Sequence, residues 1–205
     1  MKKNIFELKI NNKDKDFENY LRPQWSWKTL VTIGIFCFNT QGLDGAVFQM
    51  VSHGIISGAL FLAIGVIYER THTRDINKLG DFATTMPKYS VFLMFFTLGS
   101  VGLPGTSGFI GEVLVLIGSW KVNPLVAIIS GLSLILGAIY MLRFYRKISF
   151  GISENQDKYE IHDVNMREFM ILIPLVIFII LFGVFPNIVL NFLKVPHFLI
   201  LETFK

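Results

Sequence analysis

At 205 residues, 52% of them hydrophobic and only 17% charged, the chain is too apolar for a soluble domain of its length, and its mean hydropathy of +0.53 is that of an integral membrane protein. The net charge of +4 is carried by lysines and arginines that fall between apolar runs and at the N-terminus, where they serve as topology signals and not as a nucleic-acid surface. The single cysteine, Cys37, can neither close an intrachain disulfide nor hold an iron–sulfur cluster, and with no nucleotide loop, catalytic triad or metal-ligand spacing a soluble enzyme is excluded.

Residues 1–24 form a polar tail of mixed charge, read as a solvated segment. The apolar stretch 25–38 that follows is a partial span: as a helix it reaches about 21 Å against a hydrocarbon core of about 30 Å. Lys28 near its start can snorkel, which leaves a tilted or locally thinned crossing open. The first full span is 46–68, interrupted only by Gln49, Ser52, His53 and Ser57. Gly54 and Gly58 are spaced for close contact with another helix. His53 within this span has two readings, a proton relay or a neutral histidine hydrogen-bonded to a neighbouring helix. The segment 69–88 mixes Arg70, Arg74, Lys78 and Lys88 with Glu69, Asp75 and Asp81 and reads as a solvated loop. A metal site built on His72 matches no recognised spacing.

The next span, 90–120, contains Leu103-Pro104-Gly105-Thr106-Ser107-Gly108-Phe109-Ile110-Gly111-Glu112, and Glu112 is its one charged residue. Pro104, Gly105 and Gly108 predict a discontinuous helix of two halves, each about 20 Å long. Irregular backbone at that depth has to line a protein-buried or watered cavity. Thr106 or Ser107 is placed to cap the second half, with Glu112 in its first or second turn. There the half-helix dipole and burial act on the carboxyl group in opposite senses, which suits a group that takes up and releases a proton. The competing arrangement is a shallow hairpin that leaves Glu112 at the interface. Span 124–145 ends in Arg143, Arg146 and Lys147, a polar loop runs to Arg167, and span 168–190 carries Pro174, where a kink is expected. Loops 69–89 and 143–167 together carry nine Lys/Arg against three on the opposite face, and a crossing by 25–38 would raise this to sixteen against three. Positive-inside bias therefore favours that crossing and places the C-terminus outside.

Four stretches, Gln41-Gly42-Leu43-Asp44-Gly45-Ala46, Ser52-His53-Gly54, Tyr68-Glu69-Arg70-Thr71-His72-Thr73-Arg74-Asp75-Ile76 and Gly102 to Glu112, carry a family resemblance. From about Val31 onward the chain resembles the C-terminal part of subunit M of proton-translocating NADH:quinone oxidoreductase, subunit 4 in mitochondria. The resemblance implies that 46–68 is similar to the eleventh helix of an antiporter-like fourteen-helix fold and 90–120 to its discontinuous twelfth. It also implies that Glu112 is the terminal charged group of a central hydrophilic axis, on which His53 also lies. Lys121, past the span, has no assigned role. The Ala-His-Met-Gly run that precedes the match in the family is replaced by Pro23 to Lys28.

The expectation is an all-α membrane piece of the respiratory membrane arm that contributes Glu112 and His53 to proton translocation and performs no redox chemistry. Quinone, FMN and iron–sulfur clusters are expected in partner subunits, and no cofactor or metal is expected in this chain. The expected partners are the other membrane-arm subunits, the lipid bilayer and a separate chain carrying the earlier helices, with no nucleic acid. The competing readings are an inactive truncated remnant with a structural role and a subunit of a multisubunit cation/proton antiporter.

Overall fold

The computed structural model describes residues 24–73, 75–152 and 162–193. The tail expected over 1–24, apart from Gln24, and the C-terminal lysines Lys194 and Lys205 lie outside the described residues, as do Arg74 and residues 153–161. All regular elements among the described residues are helical. In order they are α1 (Gln24–Phe36), α2 (Thr40–Thr71), a 3-10 turn at Ile76–Lys78, α3 (Phe82–Thr85), α4 (Pro87–Val101), α5 (Ser107–Val122), α6 (Pro124–Phe150) and α7 (Met166–Val184), followed by a helical stretch over 187–193. By length and apolar content α2, α6 and α7 can each cross a membrane.

α2 is the axis against which the other helices are arranged. Its 32 residues give a rod of about 48 Å. It opens at Thr40, where Asn39 caps it by accepting the Gly42 N–H on Oδ1 at 2.8 Å. It closes past residue 68, with His72 in the left-handed conformation at φ 49°. Arg70 and Thr71 thus belong to the last helical turn and not to a loop. α1 returns antiparallel to α2 through a tight turn, with Gly34 packed on Gly42 and Ala46. Its other described end lies beside His53, so the 13 residues of α1 run from one end of α2 to the depth of that histidine.

The two half-helices of the broken span follow one another along α2. From one end to the other, Gly118 lies against Gly42, Val115 against Gly45, Gly111 against Gln49, Ser107 against Ser52, and Gly99 against Ile56. Beyond that point Leu93, Phe96 and Tyr89 of α4 join a buried cluster with Leu60, Ala63 and Ile67 of α2. One continuous antiparallel register spans both halves. The shallow hairpin is therefore ruled out, since a hairpin would bring both halves to the same stretch of α2. The α2–α5 seam is built from glycines, because only a missing side chain allows backbones this close.

Among the described residues no helix packs on Gly54 or Gly58. No described atom comes within 4 Å of where a Cβ would stand at either position, and Gly42 and Gly45 supply the α2 face that does pack on α5. α6 packs on α4 through Ser90, whose hydroxyl donates to Ser149 Oγ at 3.1 Å, while Leu132, Leu136 and Ile139 leave the other face of α6 apolar and exposed. α7 runs unbroken as helix through Pro174 to Val184 and stops before Pro186.

The segment leading into α7 ties three helices together. Asp163 accepts the Lys88 and Tyr89 backbone N–H groups at 3.0 and 3.2 Å, capping α4. Arg70 reaches from α2 to Glu168 in a bidentate pair at 2.9 and 2.8 Å and donates through Nε to the His162 carbonyl at 2.7 Å. Glu168 also accepts the Asn165 N–H at 2.8 Å, closing the first turn of α7.

Candidate functional site

The break between α4 and α5 is a defined structure. α4 ends in a Schellman motif: Leu103 N–H bonds the Leu98 carbonyl at 3.1 Å, Gly102 N–H bonds the Gly99 carbonyl at 3.3 Å, and Gly102 takes φ 74°. Pro104 and Gly105 then carry the chain across, with Gly105 at φ 94°. Thr106 occupies the N-cap position of α5 without capping it; its hydroxyl donates back to the Leu103 carbonyl at 2.7 Å. Gly108 lies within the first turn of α5, where it packs on the Gly99 carbonyl. Two clamps hold the crossing in place. The buried Ser52 hydroxyl of α2 donates to Ser107 Oγ at 2.8 Å, and Gly183 of α7 lies against the Gly105 carbonyl.

Glu112 sits in the second turn of α5 and is 9% exposed. Helical side chains lean toward the N-terminus of their helix, so its carboxyl group swings back to the break. There it lies against Gly102, the left-handed residue that ends α4, where any Cβ would overlap Oε2. The group makes no hydrogen bond to another described residue and lines a cavity of about 50 Å³. Around the same cavity stand His53 and Gln49 from α2, Trp27 from α1 and Ser100 from α4. The two ionisable residues singled out in separate spans therefore line one cavity, with the break as part of its wall.

His53 is half-buried and lies flat on the Trp27 ring, with centroids 4.1 Å apart and planes 22° from parallel. It makes no hydrogen bond to a neighbouring helix among the described residues. A smaller cavity of about 30 Å³, reaching toward Ser57 and Phe61, shares His53, Ile56, Ser100 and Met141 with the first, so the imidazole borders both. Lys28 stands 5.8 Å from the Trp27 ring centroid. Lys121, in the last turn of α5, is exposed and far along the helix from this cluster. Trp27 and Gln49 carried no chemical signal in the sequence: one lay near the start of an apolar run, the other was one of several uncharged polar residues within a span. Among the described residues no three His, Cys, Asp or Glu side chains converge to hold a metal ion.

Residues 28–137 match the family described as NADH:quinone oxidoreductase/Mrp antiporter, TM. The chain belongs to that family. Among members of the NADH:quinone oxidoreductase/Mrp antiporter family, it is 50% identical over 161 residues to NADH-quinone oxidoreductase subunit M of Rickettsia bellii, covering 78% of this chain and 33% of that protein. It is 45% identical over 168 residues to NADH-ubiquinone oxidoreductase chain 4 of Chondrus crispus, covering 82% of this chain and 34% of that one. Its fold superposes on a chain of respiratory complex I from Thermus thermophilus with a TM-score of 0.76 and 31% identity, covering 84% of this chain and 36% of that chain. A chain of the Mrp complex from Dietzia sp. DQ12-45-1b shares the fold, with a TM-score of 0.69 at 19% identity. The chain thus spans about a third of the length of the curated relatives it matches. The family match takes in His53, the break and Glu112, and begins immediately after Trp27.

Proposed function

We propose that the chain is a proton-translocating piece of the membrane arm of respiratory NADH:quinone oxidoreductase, in a bacterial or mitochondrial inner membrane. In this reading it works beside a separate chain that carries the earlier helices, and with the other membrane-arm subunits. The observation that carries the reading is the meeting of Glu112 and His53 at one cavity beside a helix break. An intramembrane carboxyl group without a partner is costly to keep, and such groups mark ion and proton pathways. Irregular backbone at this depth is tolerated where it lines such a space. Family membership and the similarity to subunit M and chain 4 support the assignment to this enzyme.

Glu112 takes up a proton from the cavity and releases it, and His53, bordering both cavities, hands protons between them. The Gly102 to Thr106 crossing provides the space in which the carboxyl group changes position between these events. The chain itself performs no redox step and holds no cofactor; quinone, FMN and iron–sulfur clusters belong to partner subunits, whose chemistry drives the proton movement. Glu112→Gln is expected to lower NADH-driven proton pumping several-fold in membrane vesicles, with assembly of the complex checked on native gels. Unchanged pumping in an assembled complex would remove Glu112 from the path.

A further inference from the structure

Two residues that line the cavity beside Glu112 each carry a buried polar atom with no hydrogen-bond partner among the described residues, Trp27 Nε1 and Gln49 Oε1. Gln49 is 5% exposed, Glu112 is 9% exposed, and both line the cavity together with Trp27. Residues carrying one donor, one neutral acceptor and one carboxyl group therefore line a space of about 50 Å³, and these groups do not bond one another. Leaving buried polar groups unpaired is costly, because they forfeit the hydrogen bonds that water would give them. A cavity of about 10–15 Å³ already admits a water when it offers two to four polar partners, so this one has both the room and the partners for a few.

We propose that Trp27 closes this site: its indole N–H donates to water held between Gln49 and Glu112, and its ring, lying flat on His53, bars that water from passing toward α1. The consequence follows from the indole itself. Its N–H is a donor only, with no lone pair to accept a proton. Glu112, the held water and His53 can exchange protons among themselves, but the exchange stops at Trp27. The stacked ring also fixes the imidazole plane, so that His53 faces both cavities at once. Trp27 is in this sense a positioning residue. The inference rests on the proposed proton role of the cavity, but its test does not need pumping or a partner chain.

The test uses the full chain in lipid nanodiscs, with Trp25→Phe, so that the indoles of Trp27 and Trp120 are the two remaining nitrogen-15 signals. Trp120 is 55% exposed and serves as the internal control. The Trp27 N–H is expected to show cross-relaxation with water yet to exchange with deuterated solvent far more slowly than that of Trp120. Glu112→Gln and, separately, Gln49→Leu should shift the Trp27 resonance and leave that of Trp120 in place. His53→Leu should shift it through loss of the stacked ring and raise Trp27 fluorescence. If the Trp27 N–H exchanges as fast as that of Trp120, or ignores both cavity substitutions, the closure does not exist. Should a cavity variant fail to fold, water contact and slow exchange in the parent chain still decide the matter. A Trp27 signal that passes while Glu112→Gln pumping is unchanged would keep the closed water site and overturn only the transport role.

Discussion

Gly102 places its bare Cα against the Glu112 carboxyl group while standing at φ 74°. Two separate requirements meet there, a left-handed backbone and an absent side chain. Gly105, at φ 94°, has the first requirement without the second, since nothing lies within 4 Å of its missing Cβ. Alanine at either position should cost about 1–2 kcal/mol for the left-handed backbone. Gly102→Ala should in addition push Glu112 out of the cavity. The expected outcome is a similar loss of thermal stability in both variants, with NADH-driven pumping falling to the level of Glu112→Gln only for Gly102→Ala. Equal pumping in the two would mean that the carboxyl position does not matter. At this scale Glu112 and His53 were legible because an ionisable residue inside an apolar span stands out by itself. Trp27 was not, because an indole near the start of an apolar run looks like any interfacial anchor until the fold brings it onto a histidine 26 positions along the chain.

At the scale of elements, the seam between α2 and α5 depends on glycines whose missing side chains leave no slack. A Cβ on Gly118 would stand 2.6 Å from the Gly42 nitrogen and 2.7 Å from its Cα, and backbone cannot swing aside as a side chain can. Gly118→Ala is therefore expected to destabilise the purified chain by about 1–3 kcal/mol, as overpacking does. Gly58→Ala meets nothing and should be neutral or stabilising by up to about 1 kcal/mol through helix propensity. Thermal unfolding in detergent, followed by circular dichroism, separates the two. The broken span was legible from Pro104 and the glycines around it, since a bilayer leaves few uses for such residues. The packing face was not. Gly42 with Gly45 and Gly54 with Gly58 both present small residues to a neighbour, and spacing alone does not say which face a helix of the same chain will cover. Nor did it show that Thr106 would spend its hydroxyl on the Leu103 carbonyl instead of the first turn of α5.

The whole molecule is held at one end by contacts that no local pattern announces. Arg70 and Glu168 are 98 residues apart, and in the sequence each sits at the edge of a charged loop, where a solvated role is the ordinary reading. The fold brings them together because α2 runs on past residue 68 and α7 begins at Met166, so both charges fall in terminal helical turns that meet. Their side chains are only 11% and 15% exposed, and the guanidinium also serves the carbonyls of Val66, His162 and Asp163. Removing the arginine leaves the Glu168 carboxylate and the His162 and Asp163 carbonyls without their charged donor, so Arg70→Ala should destabilise the chain by about 2–3 kcal/mol. Arg70→Lys keeps the charge but not the planar fork, and a single ammonium cannot meet Glu168 on both oxygens while reaching His162. Most of the loss should therefore persist in the lysine variant. Denaturant unfolding of the purified protein checks this directly: if Arg70→Lys restores nearly full stability, charge alone holds α2 to α7, and the forked geometry contributes little.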